Sequence, residues 1–397
     1  MLIAPTGVTD NPGRTHMSNL DRAFNIEDLR KIARRKLPSP LFNYIDGGSD
    51  DESNVHGNSR AYDSVRLVPE YLIDVANIDL TTKVLGQEIS MPLFLAPTGM
   101  TGLFHHDAEI AVSRAAAEAG TYYSLSTLGS TRIEDVATAS DGPKCFQIYV
   151  MKDRSLTSEF IQRCKDARYD SLMLTVDVPI VSNRERELRS GFTMPPKLNL
   201  TGMAGFALRP GWVYKYLTHP TPQLANVAHK IAQGSSNSSS LIQYIIDQFD
   251  SSVTWDDMEW MIAEWGGPFA IKGVLSPADA RKAVDLGATA VIVSNHGGRQ
   301  LDGALSAFDA LGPIVDEVGG ECEIICDGGI RRGTHVLKAL ARGATACSMG
   351  RPYLFGLAAG GQAGVTRALE LLRLELERDM GLLGCRNISE IGNKHIA

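Results

Sequence analysis

The chain has 397 residues, 44% of them hydrophobic and 21% charged, with a formal net charge of −7. That is the composition of a soluble globular protein, long enough for one large domain or two ordinary ones. The acidic balance argues against a nucleic-acid partner, no apolar run is long enough to span a bilayer, and six cysteines without a C-x-x-C pair or zinc-ligand spacing suggest no metal site and fit a reducing, cytoplasmic-side compartment.

Residues 1–19 carry Pro, Gly, Thr and Asn without periodicity and read as a disordered leader or tag, with 20–397 as a single domain. Ile26–Leu37 has the spacing of an amphipathic helix, with Asn25 as N-cap and Pro38 just past its end. Eight short apolar, β-rich runs follow: Leu93–Pro97, Tyr122–Ser126, Cys145–Tyr149, Ser171–Val176, Phe269–Lys272, Ala290–Ser294, Glu323–Cys326 and Ala346–Met349. Helical stretches such as Asp107–Ala119, Leu156–Ala167, Pro277–Leu286 and Thr334–Ala341 lie between them. Continuous apolar strands alternating with helices predict an α/β fold with a parallel sheet covered on both faces. Eight such units in about 270 residues predict a (β/α)8 TIM barrel; the alternative, an open doubly wound sheet, lacks an early G-x-G-x-x-G. One connection, after the fourth run, is far longer than the rest. It predicts an insertion at about 195–255, including the low-complexity Gln233-Gly234-Ser235-Ser236-Asn237-Ser238-Ser239-Ser240.

Barrel chemistry sits at the C-terminal ends of the strands. There the sequence places Pro97, Thr98 and Gly99 after strand one, Ser126 after two, Gln147 and Tyr149 after three, and Thr175 and Asp177 after four. Lys272 follows five; Ser294, His296 and Arg299 follow six; Asp327, Gly329 and Arg331 follow seven; and Gly350 and Arg351 follow eight. An apolar core has no use for this ring of polar groups, which implies a large polar ligand. The last two loops, Asp327-Gly328-Gly329-Ile330-Arg331-Arg332-Gly333 and Gly350-Arg351, combine approachable Gly amides with guanidinium groups, as a phosphate needs. In Ser294-Asn295-His296-Gly297-Gly298-Arg299-Gln300-Leu301-Asp302 an imidazole precedes an arginine by three residues. A base beside a carboxylate-binding arginine suits hydroxy-acid oxidation, with Asp177 available to orient and charge-stabilise the imidazole.

On the strength of Ser294–Asp302, the two phosphate loops and Leu41–Glu52 with Tyr44 and Gly47-Gly48, the chain resembles the FMN-dependent 2-hydroxy acid oxidase/dehydrogenase family from about Asn25 to Ile396. That family includes glycolate oxidase, L-lactate dehydrogenase and mandelate dehydrogenase. The resemblance implies FMN as cofactor, His296 as base with Asp177 as its partner, Arg184 and Arg299 on the substrate carboxylate, and Tyr44 and Tyr149 on the substrate. It implies Lys272 at the flavin N1/O2 edge, and Ser126, Gln147, Thr175 and the backbone of Pro97, Thr98 and Gly99 along the isoalloxazine, with Ser294 among the cofactor residues. Asp327 is implied on the ribityl chain, and Gly329, Arg331, Gly350 and Arg351 on the phosphate. Leu128 stands where glycolate oxidase carries tryptophan, which favours a bulkier, lactate- or mandelate-like acid. Arg184–Phe192 and Pro222–Asn226 are similar to the lactate and mandelate dehydrogenases, in which this segment mediates membrane attachment. Here Arg209–Leu217 mixes aromatics with cations, as an interfacial anchor would; a lid or a subunit contact is the alternative. The resemblance further implies a homotetramer.

The expected function is therefore oxidation of an L-2-hydroxy acid to the 2-keto acid, with electrons passed to a quinone or other carrier and the enzyme cytoplasmic or peripheral on the inner membrane face. An oxidase using O2 and producing hydrogen peroxide is the alternative. A non-redox phosphate-binding isomerase or lyase, and a flavin-binding barrel without turnover, are the remaining ones.

Overall fold

Strands that are apolar on both faces can be satisfied only by cover on both sides, and this chain achieves it by closing the sheet on itself and packing helices against its outer face. The computed structural model describes residues 19–192, 199–228 and 248–397. Residues 1–18 of the expected leader and the low-complexity run at 233–240 lie outside the described residues. A short hairpin, β1 (Thr82–Val84) and β2 (Gln87–Ile89), precedes eight parallel strands: β3 (Leu93–Leu95), β4 (Tyr123–Ser126), β5 (Lys144–Ile148), β6 (Ser171–Thr175), β7 (Phe269–Val274), β8 (Ala290–Ser294), β9 (Glu323–Asp327) and β10 (Ala346–Met349). They pair in the order β10-β3-β4-β5-β6-β7-β8-β9 as a closed barrel. All eight predicted runs are barrel strands. Closure runs through Cys347↔Leu93, Ser348↔Phe94 and Met349↔Leu95, which rules out the open sheet.

The barrel interior is filled at its N-terminal end by Phe94, Tyr122, Cys145, Met173, Ala290, Ile292 and Ile325, packed against Val84, Leu85 and Ile89 of the hairpin. The hairpin turn is Leu85-Gly86, with φ of +49° and +82°, the left-handed pair of a type I′ turn. A leucine there costs about 1–2 kcal/mol. Burying its side chain to 2% exposure returns about 1.5–3 kcal/mol. The Leu85 amide also donates to Glu323 Oε2 (2.6 Å) and its carbonyl accepts from the Tyr122 hydroxyl (3.2 Å). The plug is thus stable despite its residue.

At the other end, helix Ile26–Lys36 begins where Asn25 Oδ1 accepts from the Asp28 amide (2.9 Å). Pro38 then starts helix Ser39–Asp46, which carries Tyr44 to the barrel mouth. The long excursion after β6 holds helices Glu185–Ser190, Leu200–Ala207 and Pro210–Thr218. Within the segment expected to be an interfacial anchor or a lid, one aromatic turns inward. Trp212 donates from Nε1 to Leu103 O (3.0 Å) and lies 5.2 Å from Phe206 and 5.0 Å from Tyr216, ring to ring. It faces the barrel, because an indole N–H is best satisfied by a fixed carbonyl. The outward face carries Leu200, Met203, Leu208, Tyr214 and Leu217, all exposed.

Candidate active site

Three consecutive left-handed residues, His296, Gly297 and Gly298 (φ +57°, +63° and +76°), turn the chain sharply after β8. Gly298 is required there, since a Cβ would meet the Val55 amide nitrogen at 2.6 Å. Its carbonyl accepts from the Ser49 amide (3.0 Å). The His296 amide donates to Ser294 Oγ (3.0 Å), and the ring is aimed so that Nδ1 lies 2.9 Å from Asp177 Oδ1. Burial lowers the imidazole pKa below its ordinary value, with Asp177 opposing that shift. Burial works to raise the Asp177 pKa, but His296 and Lys272 outweigh it and keep the carboxyl below the usual range. The pair is therefore a neutral base held by a carboxylate.

Lys272 approaches from β7, where a bulge shifts the register between Lys272 and Val274. Its Nζ lies 3.0 Å from Asp327 Oδ2 and donates to Ser294 Oγ (3.1 Å). Ser294 Oγ in turn donates to Asp327 Oδ2 (2.7 Å), and Ser348 Oγ donates to Oδ1 (2.7 Å). Burial disfavours the ammonium, yet Asp327 and Asp177 overcome it and raise the Lys272 pKa. A fixed cation therefore sits on the cavity wall. Ser294, fully buried, supports this network from beneath.

Two arginines line the same cavity. Arg299 Nη1 donates to Tyr44 O (2.5 Å) and Gly47 O (3.2 Å), and its guanidinium lies 4.8 Å from the centre of the Tyr44 ring. Arg184 Nε donates to Ser182 Oγ (3.2 Å). Burial, then the neighbouring Arg184, lower the Arg299 pKa. Glu187 Oε1 lies 3.4 Å from Arg299 Nη2 and 3.7 Å from Arg184 Nη1, so two buried cations share one carboxylate oxygen and keep a net positive charge suited to a further anion.

These groups surround one cavity of about 420 Å³. Tyr44, Pro97, Thr98, Gly99, Ser126, Leu128, Tyr149, Arg184, Lys272, His296, Arg299, Asp327, Gly329, Arg331, Gly350 and Arg351 all line it. Gln147, Asp177 and Ser294 stand behind that lining, and Thr175 lines an adjoining cavity that shares Tyr149, Val178 and Phe249 with it. Gln147 Oε1 accepts from Ser126 Oγ (2.9 Å), which leaves its buried Nε2 donor without a partner; Thr175 Oγ1 is likewise buried and unpartnered. Orphaned polar atoms beside a cavity ask for a polar ligand, and the carbonyl-rich edge of a flavin ring fits them. Burial brings Arg331 down to about 10 and, with Arg299 and Arg331 adding to it, Arg351 down to about 9. Two such guanidiniums beside Gly329 and Gly350 fit a phosphate. Arg351 has a second task, since it donates to the carbonyls of Ile45 (2.9 Å), Gly47 (2.7 Å) and Gly297 (2.7 Å). It braces the Tyr44 helix against the His296 loop.

The sequence did not single out Ser348, hidden in an apolar strand, or Glu187, which reads there as one charge in Arg184-Glu185-Arg186-Glu187. The only signal for Glu187 was its spacing of three from Arg184, one helical turn.

The comparisons agree with the geometry. The family described as FMN-dependent dehydrogenase matches residues 33–397. The chain is 41% identical to the L-lactate oxidase of Nostoc sp., over 94% of this chain and 98% of that one. It is 39% identical to glycolate oxidase 3 of Arabidopsis thaliana, over 94% and 95%. Among solved structures it is similar to a monotopic membrane protein, (S)-mandelate dehydrogenase, with a TM-score of 0.89 and 36% identity over 94% of this chain and 99% of that one. This likeness in sequence and fold sets aside the non-redox barrel, and the chain belongs to the FMN-dependent dehydrogenase family, the flavoenzymes that oxidise 2-hydroxy acids.

Proposed function

We propose that this enzyme oxidises an L-2-hydroxy acid with an apolar side chain, of lactate to mandelate size, and passes the electrons to a membrane-borne carrier such as a quinone. The observation that carries the reading is the convergence of the His296–Asp177 pair and the two arginines on one cavity. Arg184 and Arg299 take the substrate carboxylate, and Tyr44 and Tyr149 hydrogen-bond the hydroxyl end. His296 accepts the substrate proton at Nε2, because Nδ1 is committed to Asp177, and the carboxylate stabilises the imidazolium that results. FMN, when bound, supplies the two-electron sink. Lys272 keeps a positive charge beside the position that negative charge must enter. Leu128 leaves room for a side chain larger than a hydrogen.

Peripheral membrane docking is part of this reading. Leu200, Met203, Leu208, Tyr214 and Leu217 project outward from two short helices beside Arg209 and Lys215, a surface suited to a headgroup boundary. No helix among the described residues is long and apolar enough to cross a membrane. The likeness to a monotopic membrane enzyme supports the same assignment. Co-sedimentation with anionic liposomes tests it. The wild type should pellet, and Leu208→Asp with Leu217→Asp should stay in solution while keeping FMN and reduction by substrate. If the wild type remains in the supernatant at low salt, docking is wrong. The likeness to an L-lactate oxidase supports the second reading, an O2-using oxidase, which requires one hydrogen peroxide per acid consumed in air.

A further inference from the structure

Glu187 takes no part in the proton and electron transfer, yet its carboxylate lies at the centre of the anion site. It follows Arg184 by one helical turn on helix Glu185–Ser190 and lines the cavity, with its side chain 13% exposed. Its Oε1 stands 3.4 Å from Arg299 Nη2 and 3.7 Å from Arg184 Nη1. One oxygen thus bridges both guanidiniums without forming a fork with either. One further arm of each arginine is occupied: Arg299 Nη1 by the carbonyls of Tyr44 and Gly47, Arg184 Nε by Ser182. The arms that Glu187 touches are among those left for an incoming carboxylate.

We propose that Glu187 is a placeholder anion: it occupies the carboxylate-binding arms of Arg184 and Arg299 in the substrate-free enzyme and yields them to the carboxylate of the hydroxy acid. This rests on the arginine clamp proposed above. Two guanidiniums facing each other in an apolar pocket repel, and an internal carboxylate relieves that repulsion until a ligand arrives. Displacing it is favourable only for a ligand that brings its own negative charge, so Glu187 makes the site selective against neutral analogues at a cost in affinity for acids.

The charged and titratable surroundings are few. Arg184 and Arg299 are in contact; Tyr44 comes from helix Ser39–Asp46, Tyr149 from the end of β5, and the His296–Asp177 pair stands behind. On its own helix, Arg186 is paired with Asp46 and Glu52, and Arg189 with Glu185. Burial raises the Glu187 pKa against the pull of Arg299 and Arg184, so acid removes the competitor earlier than it would for an ordinary glutamate. Above that pKa Glu187 competes with the ligand; below it the neutral side chain does not.

The test is titration of the FMN holoenzyme with oxalate, an unreactive dicarboxylate, followed by the flavin spectrum. Glu187→Gln should lower the oxalate Kd at pH 8 by about tenfold, the worth of one charge-assisted contact. The ratio of wild-type to variant Kd should fall toward one as pH drops through the Glu187 pKa. Titration of His296 affects both enzymes and cancels in that ratio. With substrate, the change should fall on KM rather than on the limiting rate of flavin reduction. Should Glu187→Gln fail to hold FMN, Glu187→Ala carries the same expectation. Weaker oxalate binding by the variant at every pH would make Glu187 a structural counterion and overturn the proposal, as would an unchanged Kd. Arg184→Lys and Arg299→Lys separate the two failures. If they weaken oxalate binding while Glu187→Gln has no effect, only the placeholder falls. If they leave oxalate binding unchanged, the clamp falls and takes the placeholder with it.

Discussion

His296 Nδ1 lies 2.9 Å from Asp177 Oδ1, and it does so from a backbone with φ of +57°. A non-glycine residue in that region stores about 1–3 kcal/mol and persists only when its surroundings over-determine it. Here they do: Ser294 Oγ holds the His296 amide, Ser49 holds the Gly298 carbonyl, and Arg351 holds that of Gly297. The strain aims Nε2 into the cavity.

His296→Gln should keep FMN and lose substrate-driven flavin reduction by more than the roughly 10²–10⁴ typical of one general base, because the imidazolium also stabilises developing negative charge. Stopped-flow reduction under nitrogen measures it. Reduction at near wild-type rate would remove His296 from the reaction.

The pH profile follows from the shifts at the same pair. Burial lowers the His296 pKa, so the base stays unprotonated and kcat/KM stays flat as pH falls through the ordinary imidazole range, declining only below it. Asp177 raises that pKa, so Asp177→Asn should move the inflection further toward acid and lower the plateau. An inflection at or above the ordinary imidazole value would contradict the assignment.

Arg299→Lys replaces a planar fork with a point charge. It should raise KM for the acid and erode the preference for the acid over its amide. The readout is the ratio of kcat/KM for the two compounds, and a ratio equal to that of the wild type would count against the clamp.

Leu128 lines the cavity beside Gly99, so close that a Cβ added to Gly99 would lie 3.0 Å from the Leu128 Cβ. Leu128→Trp fills space that a substrate side chain uses. Activity with a phenyl-bearing acid should fall by about tenfold or more relative to glycolate, the scale on which a pocket discriminates by size. Equal losses on both substrates would place the side chain elsewhere.

Lys272→Met leaves Asp327 buried without its cation. Breaking one half of a buried pair costs about 3–5 kcal/mol, so the Tm of the FMN-free protein should drop clearly. An unchanged Tm would mean that Ser294 and Ser348 suffice to hold the carboxylate.

The barrel was legible because its strands are buried on both faces and so are apolar throughout. Leu93–Leu95 and Ala290–Ser294 announce themselves without any alternation. The hairpin plug was not, since Thr82–Val84 and Gln87–Ile89 each bury a single residue, and Leu85 opposes the preference of its own turn. The ring of polar strand ends revealed the cavity, but residue type alone could not separate its wall from its support. Ser294 reads like a ligand contact and lies beneath it, while Arg351 reads like a phosphate ligand and also ties two loops together. Trp212 reads like an anchor, and only tertiary structure supplies the Leu103 carbonyl that turns it inward. Glu187 carried only its spacing from Arg184, because its other partner, Arg299, is distant in sequence.

The most direct test is anaerobic titration of the purified FMN enzyme with L- and D-forms of lactate and mandelate, followed at the flavin absorbance band. Bleaching by an L-acid with stoichiometric 2-keto acid is expected, with no bleaching by the D-form and none of His296→Gln on the same timescale. A folded, FMN-loaded enzyme that no L-2-hydroxy acid bleaches, or one reduced equally by both enantiomers, would contradict the assignment.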